Sequence, residues 1–274
     1  MNLMNTTGVV VAEVRKQTLQ YFFQVRTLFW NMMLPFVEVT TFYFMYLPFV
    51  GRDILLSVEP SVDLPIIGFL VAGQVIYNAY TNTLLAGNFF DAEREQGTLE
   101  IMLLTPASRF AVLLGSGLAG LLLNIWMFVS IVLLVAFTPF VSINVHDPVA
   151  VFSSFFLSAF SLLGLGMCFG CVAVLTREGG AIFVSVQEPI DFLSGLRFPV
   201  RILPGVLQAV ASILPLTYGI HAARLSLIGG ETILRIWFDL LAMAIMGLSF
   251  MLFSQYLIAL IERRAKKEGT LSLF

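Results

Sequence analysis

The chain has 274 residues, 58% of them hydrophobic and 12% charged, with a formal net charge of -2. A soluble domain averages about 25% charged residues, so this composition excludes a surface that meets water on every side and points to lipid as the solvent. The near-zero charge leaves no basic footprint for a nucleic acid, and two cysteines, Cys168 and Cys171, are too few for a disulfide-stapled secreted domain.

Residues 8–27 come first in the chain. Glu13, Lys16, Gln17, Gln20, Gln24 and Thr27 share one helical face, and Val10, Val14, Leu19, Tyr21, Phe22 and Val25 lie on the other. The pattern predicts an amphipathic helix lying in the membrane surface. The alternative is a solvated leader packed on another part of the chain. Glu13, Arg15 and Lys16 interrupt the apolar run that a secretory leader needs, so the chain is expected to keep its first residues.

Six longer apolar runs follow, at 28–50, 64–90, 106–137, 148–175, 180–198 and 233–261. Each reads as a transmembrane helix of about 20 residues or more. Pro35 and Glu38 interrupt the first, predicting a kink and a carboxylate that is buried or faces water. The second carries a polar stripe, Gln74, Asn78, Thr81 and Asn82. The dipeptides Thr105-Pro106 and Asp147-Pro148 each read as a helix cap followed by proline at the first helical position. A tight polar turn occupies 176–179. Residues 199–232 hold Pro199, Pro204, Gly205, Pro215, Gly229 and Gly230, so re-entrant or surface helices suit them better than a straight span. The fold class is therefore all-α integral membrane, with six spans in a single transmembrane domain.

With the N-terminus inside, the inner segments hold ten Lys and Arg residues, and the outer segments hold five: Arg52, Arg197, Arg201, Arg224 and Arg235. That bias places both termini in the cytoplasm and 199–232 outside.

Sites of chemistry are few. Neither an ATP-binding loop of the Gly-x4-Gly-Lys-Ser/Thr type nor a His-Glu-x-x-His zinc motif occurs, and His146 and His221 are far apart. Cys168 and Cys171 lie in an apolar helix beside Gly166 and Gly170, which favours helix packing over redox chemistry. Gly115 with Ala119, and Ser116 with Gly120, repeat the small-residue spacing on the third span.

The most informative segment is 89–106. It combines clustered charge at Asp91, Glu93, Arg94 and Glu95 with Gly97-Thr98 and a short apolar helix. This is the form of a docking element: charges for a partner's groove and an apolar face against the bundle. The alternative is a solvated loop that fixes topology.

The run Glu93-Arg94-Glu95-Gln96-Gly97-Thr98-Leu99-Glu100, with Leu103-Leu104-Thr105-Pro106, resembles a motif of ABC-2-type permeases, the membrane subunits of one class of ATP-driven exporters. A second similar run comprises Phe192-Leu193-Ser194-Gly195, Phe198-Pro199, Leu203-Pro204, Leu214-Pro215-Leu216-Thr217-Tyr218 and Ala223-Arg224. The resemblance covers essentially the whole chain. Arg197 departs from it, since an apolar or small residue is expected there.

The resemblance implies a division of labour. A separate ABC ATPase subunit binds ATP and Mg, and this chain needs no cofactor of its own. Segment 91–104 would be the coupling helix. Glu93, Arg94, Glu95, Gly97, Thr98 and Arg177 would contact the ATPase, and 8–27 would be the interface helix. A second permease chain, identical or paralogous, would complete a pathway lined by Gln74, Asn78, Asn82, Glu188 and Asp191. Carboxylates within a span cost roughly 2.5–3.5 kcal/mol each on insertion scales and face a cavity or a partner. Glu188 and Asp191 therefore read either as pathway groups or as a structural ion pair with Arg177 or Arg197. The expected function is drug-efflux-like export of an amphiphilic drug or lipid-like cargo across the cell membrane by alternating access. The alternatives are export of a lipid-linked polysaccharide and, in a different class, a stand-alone membrane enzyme or lipid scramblase. The last would need ionisable groups converging from several spans, and only Glu38, Glu188, Asp191 and Asp239 are candidates.

Overall fold

The computed structural model describes residues 3–22, 24–46, 66–84, 93, 96–98, 105, 107–122, 146–175 and 179–268. Every regular element among them is helical. Helix α1 is Leu3–Gln17 and runs into a π-helical turn, Thr18–Phe22. It starts before the expected leader and ends well short of residue 27. Helix α2, Val25–Tyr46, contains Pro35, and helix α3 is Ile66–Leu84. Helix α4, Arg109–Leu122, starts later than the Thr105-Pro106 cap predicts. Its cap is Ser108, whose hydroxyl accepts the Ala111 N–H at 3.4 Å.

Helix α5 is Pro148–Leu175 and helix α6 is Gly179–Leu193. The chain leaves α6 through Gly195, at φ 84, so this helix stops short of the expected residue 198. A 3-10 turn, Val200–Ile202, leads to helix α7, Gly205–Ala211, and helix α8, Pro215–Leu227. The break expected around Pro215 is an 87° bend between α7 and α8. Pro215 explains it: with no N–H to donate, it sits at the first turn of a new helix and does not continue the old one. The long helix α9, Ile233–Glu268, closes the described chain.

By length and composition, two of the described helices can cross a membrane: Pro148–Val172 within α5 and Ile233–Ile261 within α9. The bent α7–α8 pair makes a third if it counts as one span. The two differ in placement, since 67% of the α5 window is buried within the protein and only 28% of the α9 window. Helix α5 is thus the axle, packed on α3, α6, α8 and α9. Helix α9 presents Leu234, Trp237, Leu241, Ile245, Leu248 and Leu252 outward.

Close approach explains the α5–α9 pairing. A Cβ on Gly164 would lie 2.8 Å from the Gly247 carbonyl oxygen, and a Cβ on Gly247 would lie 2.7 Å from the Phe160 ring. In lipid, where apolar burial drives helices together little, such backbone proximity supplies the attraction through dispersion. The thiols reinforce it. Cys168 Sγ donates to the Phe250 carbonyl at 3.1 Å, and Cys171 Sγ to that of Ser254 at 3.6 Å.

Asp147 fixes where these two helices begin. Its Oδ1 accepts from the Val149 and Ala150 N–H groups at 3.0 and 3.3 Å, and its Oδ2 accepts from Ile233 at 3.1 Å. One carboxylate therefore caps α5 and α9 together and complements both helix dipoles. These hydrogen bonds, that from Ile233 foremost, hold its carboxyl below the usual carboxylate range.

Candidate functional site

Two polar constellations stand out against the apolar bundle. The first joins α1 to the segment before α4. Helix α1 lies on α4 where a Cβ on Gly115 would meet Glu13 Cβ at 2.8 Å. That seating aims Lys16 at Glu93, and Lys16 Nζ donates to Glu93 Oε1 at 2.5 Å. Glu93 is 4% exposed, although its neighbours Gln96, Gly97 and Thr98 are exposed. The chain turns over Gly97, at φ 70, a left-handed conformation that favours glycine. The turn brings Thr98 back to Glu93: its N–H donates to the Glu93 carbonyl at 2.9 Å and its hydroxyl to Glu93 Oε2 at 2.6 Å.

Glu13 completes the junction. Gln17 donates to its carboxylate at 3.1 Å, and Lys16 lies 4.0 Å from it. Burial pushes the Glu13 carboxyl above its usual range. The Gln17 and Lys16 contacts pull it back in part, and the nearby Glu93 charge pushes it up again. Two acids thus share one lysine at the seam.

The second constellation lies between α2, α3 and the end of α6. Gln74 donates to the Glu38 carboxylate and, at 3.4 Å, to Asn78 Oδ1. The Tyr77 hydroxyl donates to Asp191 Oδ2 at 2.7 Å. Ser194 closes the turn beneath by donating to the Asp191 carbonyl at 3.0 Å. The Arg197 guanidinium lies 5.0 Å from the Phe42 ring centroid and is an electrostatic neighbour of both Glu38 and Asp191. Arg197 thus puts a positive charge near two carboxylates inside the bundle.

The expected site residues divide accordingly. Gln74, Asn78 and Asp191 gather in the second constellation and are buried. Asn82 is also buried, further along α3, where its backbone carbonyl lies against Gly120 of α4. Glu188 is exposed, one turn before the buried Asp191. Glu93 faces inward, and Gly97 and Thr98 face outward. Arg94, Glu95 and Arg177 lie outside the described residues. Sequence reasoning singled out Glu38 but not its tie to Gln74, and it missed Tyr77 altogether. Tyr77 stands beside Asn78 in the polar stretch of α3, but an aromatic ring there reads as core.

Both constellations lie within the stretch that matches a known family. Residues 9–228 match the model of the ABC-2 type transporter family. The chain belongs to that family. It is similar to inner membrane transport permease YhhJ of Escherichia coli, 26% identical over 228 residues that cover 82% of this chain and 58% of that protein. It is also similar to inner membrane transport permease YadH of the same organism, 27% identical over 160 residues, 58% of this chain and 60% of that protein. The matched parts thus span about three fifths of these relatives. Family membership and the apolar helices of the bundle make this ABC-2 chain a multi-pass membrane protein. Among the described residues, no group of three or more His, Cys, Asp or Glu side chains is placed to hold a metal ion.

Proposed function

We propose that this ABC-2 chain is the permease subunit of an ATP-driven exporter that moves an amphiphilic cargo, drug-like or lipid-like, outward by alternating access. ATP and Mg belong to a separate ATPase subunit. Six spans and the broken segment 199–232 make up each permease bundle, both termini are cytoplasmic, and two permease chains pair around the pathway. The observation that carries this reading is the Lys16–Glu93 junction.

A coupling element must be open to its partner on one side and fixed to the bundle on the other. The described part of 91–104 has that form. Gly97 and Thr98 face outward, and Glu93 is held by Lys16. Arg94, Glu95 and Arg177 are assigned to the ATPase contact by the family resemblance. Glu93 acts one step further in, as the link that passes the partner's motion to α1. Helix α1 in turn lies on α4 at Gly115. Packed helices shift between discrete arrangements and do not deform continuously, so the bundle moves largely as a rigid body.

The pathway reading rests on the second constellation. Gln74, Asn78 and Asp191 are polar groups buried in an otherwise apolar bundle, where each is costly unless it is partnered or used. Separation of the two chains of a dimer, or of α2 from α3, exposes them to cargo. Asn82 continues the same face, and the exposed Glu188 lies at its border.

The test is co-purification with an ABC ATPase, together with ATP-dependent export of a fluorescent amphiphile from reconstituted vesicles. Replacing Thr98 by a bulky acidic residue is expected to abolish both. ATPase binding and transport that survive such a change at Gly97 and at Thr98 would remove the coupling role from this segment.

A further inference from the structure

The constellation between α2, α3 and the end of α6 carries more acid than base. Arg197 is the basic group among the electrostatic neighbours of both Glu38 and Asp191, and Glu188 is a further acid near Asp191. Among the described residues, three carboxylates thus face one guanidinium. Arg197 has further contacts of its own, and these leave the count unchanged. Helices α5 and α7, which also pack on α6, carry no charged residue. Arg224 of α8 directs its guanidinium to the carbonyls of Phe69, Gly195 and Leu196 at 3.3, 2.9 and 3.0 Å.

Hydrogen-bonding capacity is also left over. Asp191 is 3% exposed. Its Oδ2 accepts from Tyr77 at 2.7 Å, and its Oδ1 has no hydrogen bond. The Tyr80 hydroxyl, fully buried and an electrostatic neighbour of Asp191, has none either. Buried polar atoms without a partner are rare in folded proteins, and each calls for a group that can satisfy it. A carboxylate oxygen and a hydroxyl oxygen can both accept from an N–H.

The surroundings already hold one cation. The Arg197 guanidinium carbon lies 5.0 Å from the Phe42 ring centroid, and the Tyr77 and Tyr80 rings stand 6.0 Å apart. Aromatic faces beside carboxylates attract organic ammonium groups. Among the described residues, no group of three or more His, Cys, Asp or Glu side chains is placed to hold a metal ion, so the surplus charge suits an organic cation. The acids are graded in depth: Glu188 is exposed, Glu38 half-buried and Asp191 buried. A cation that arrives at Glu188 meets less water on its way to Asp191, and charge attraction strengthens as water is excluded.

We infer that this constellation recognises the protonated amine of an amphiphilic cation, with Asp191 Oδ1 and the Tyr80 hydroxyl accepting its N–H groups and Glu38 and Glu188 supplying attracting charge. Arg197 is the resident cation with which the amine competes. The place of such an amine as exported cargo rests on the permease reading above. The chain's preference for it does not.

The experiment titrates purified full-length chain, in uncharged detergent micelles, against two dansyl-labelled alkyl probes of one chain length. One ends in a primary amine and the other in a carboxylate, and binding is read by fluorescence anisotropy. Wild-type protein binds the amine in preference. Asp191→Asn, which keeps an acceptor for Tyr77, binds it about tenfold more weakly, the loss of one charge-assisted hydrogen bond. Glu38→Gln shows a smaller loss, and it tests the same charge at a half-buried position if Asp191→Asn does not fold. Arg197→Gln removes the competing cation and binds the amine more tightly. That opposite sign separates recognition from a structural role, because a packing defect weakens binding in all three variants. Equal binding of the two probes by wild type, amine binding unchanged in both acid variants, or amine binding weakened in all three variants overturns the inference. Lost export with an intact amine preference counts against the permease reading alone.

Discussion

Lys16 and Glu93, 77 positions apart in the chain, meet at 2.5 Å and fasten α1 to the segment that leads into α4. The lysine is partly exposed and the glutamate buried, so the pair is neither a loose surface bridge nor a sealed one. Thr98 holds the carboxylate in place by donating to its second oxygen.

Lys16→Glu is expected to cost about 1 kcal/mol in thermal unfolding, discounted for the solvent around the lysine, and to lower cargo-stimulated ATP hydrolysis much more. The swapped double variant, Lys16→Glu with Glu93→Lys, should recover part of the coupling. A double-mutant cycle on both readouts checks this, and strictly additive effects would mean that the pair transmits nothing.

Tyr77 and Asp191 give the clearest separation of structure from transport. Tyr77→Phe leaves Asp191 Oδ2 without its donor and should lower stability by about 1–2 kcal/mol, the scale of a helix–helix hydrogen bond in lipid. Asp191→Asn keeps an acceptor for Tyr77 and should cost less. If Asp191→Asn protein unfolds like wild type and no longer exports, the carboxylate serves the pathway. Normal export per folded molecule would mark it as structural. Both variants are read by thermal unfolding in detergent and by vesicle transport.

The α5–α9 seam should tolerate no added carbon. Gly164→Ala places a methyl group 2.8 Å from a backbone oxygen that cannot rotate away, and overpacking of this kind costs about 1–3 kcal/mol. Gly205→Ala is the control, because nothing lies within 4 Å of the added atom. A lowered melting temperature is expected for the first variant and an unchanged one for the second.

Asp147 sets an acid limit. Its folded carboxyl is held below the ordinary value, so its contribution to stability is present above that value and is lost as pH falls through the folded one. Wild-type melting temperature should therefore fall as pH drops below about 4, and Asp147→Asn should flatten part of that fall, since an amide caps without titrating. Asp147→Ala should lower the melting temperature at neutral pH as well. Superimposable melting-temperature curves against pH for wild type and Asp147→Asn would show that titration of Asp147 does not set the acid limit.

The sequence by itself determined the solvent, the helical class and the family. A charged fraction of 12% and long apolar runs have one physical outcome, because unpaired backbone groups are prohibitive in lipid. It also determined local ends, such as the Asp147 cap and the break at Pro215, which depend on neighbours a few residues away. Pairings across the bundle were beyond it. Nothing in the local pattern distinguishes the inward carboxylate of Glu93 from a docking charge, or joins Asp191 to Tyr77 and leaves Glu188 exposed. Those assignments depend on which helix faces lie opposite one another, and contacts such as Gly115 on Glu13 and Gly164 on Gly247 fix that. Composition therefore chose the membrane, and close packing between distant segments chose which charged groups meet inside it.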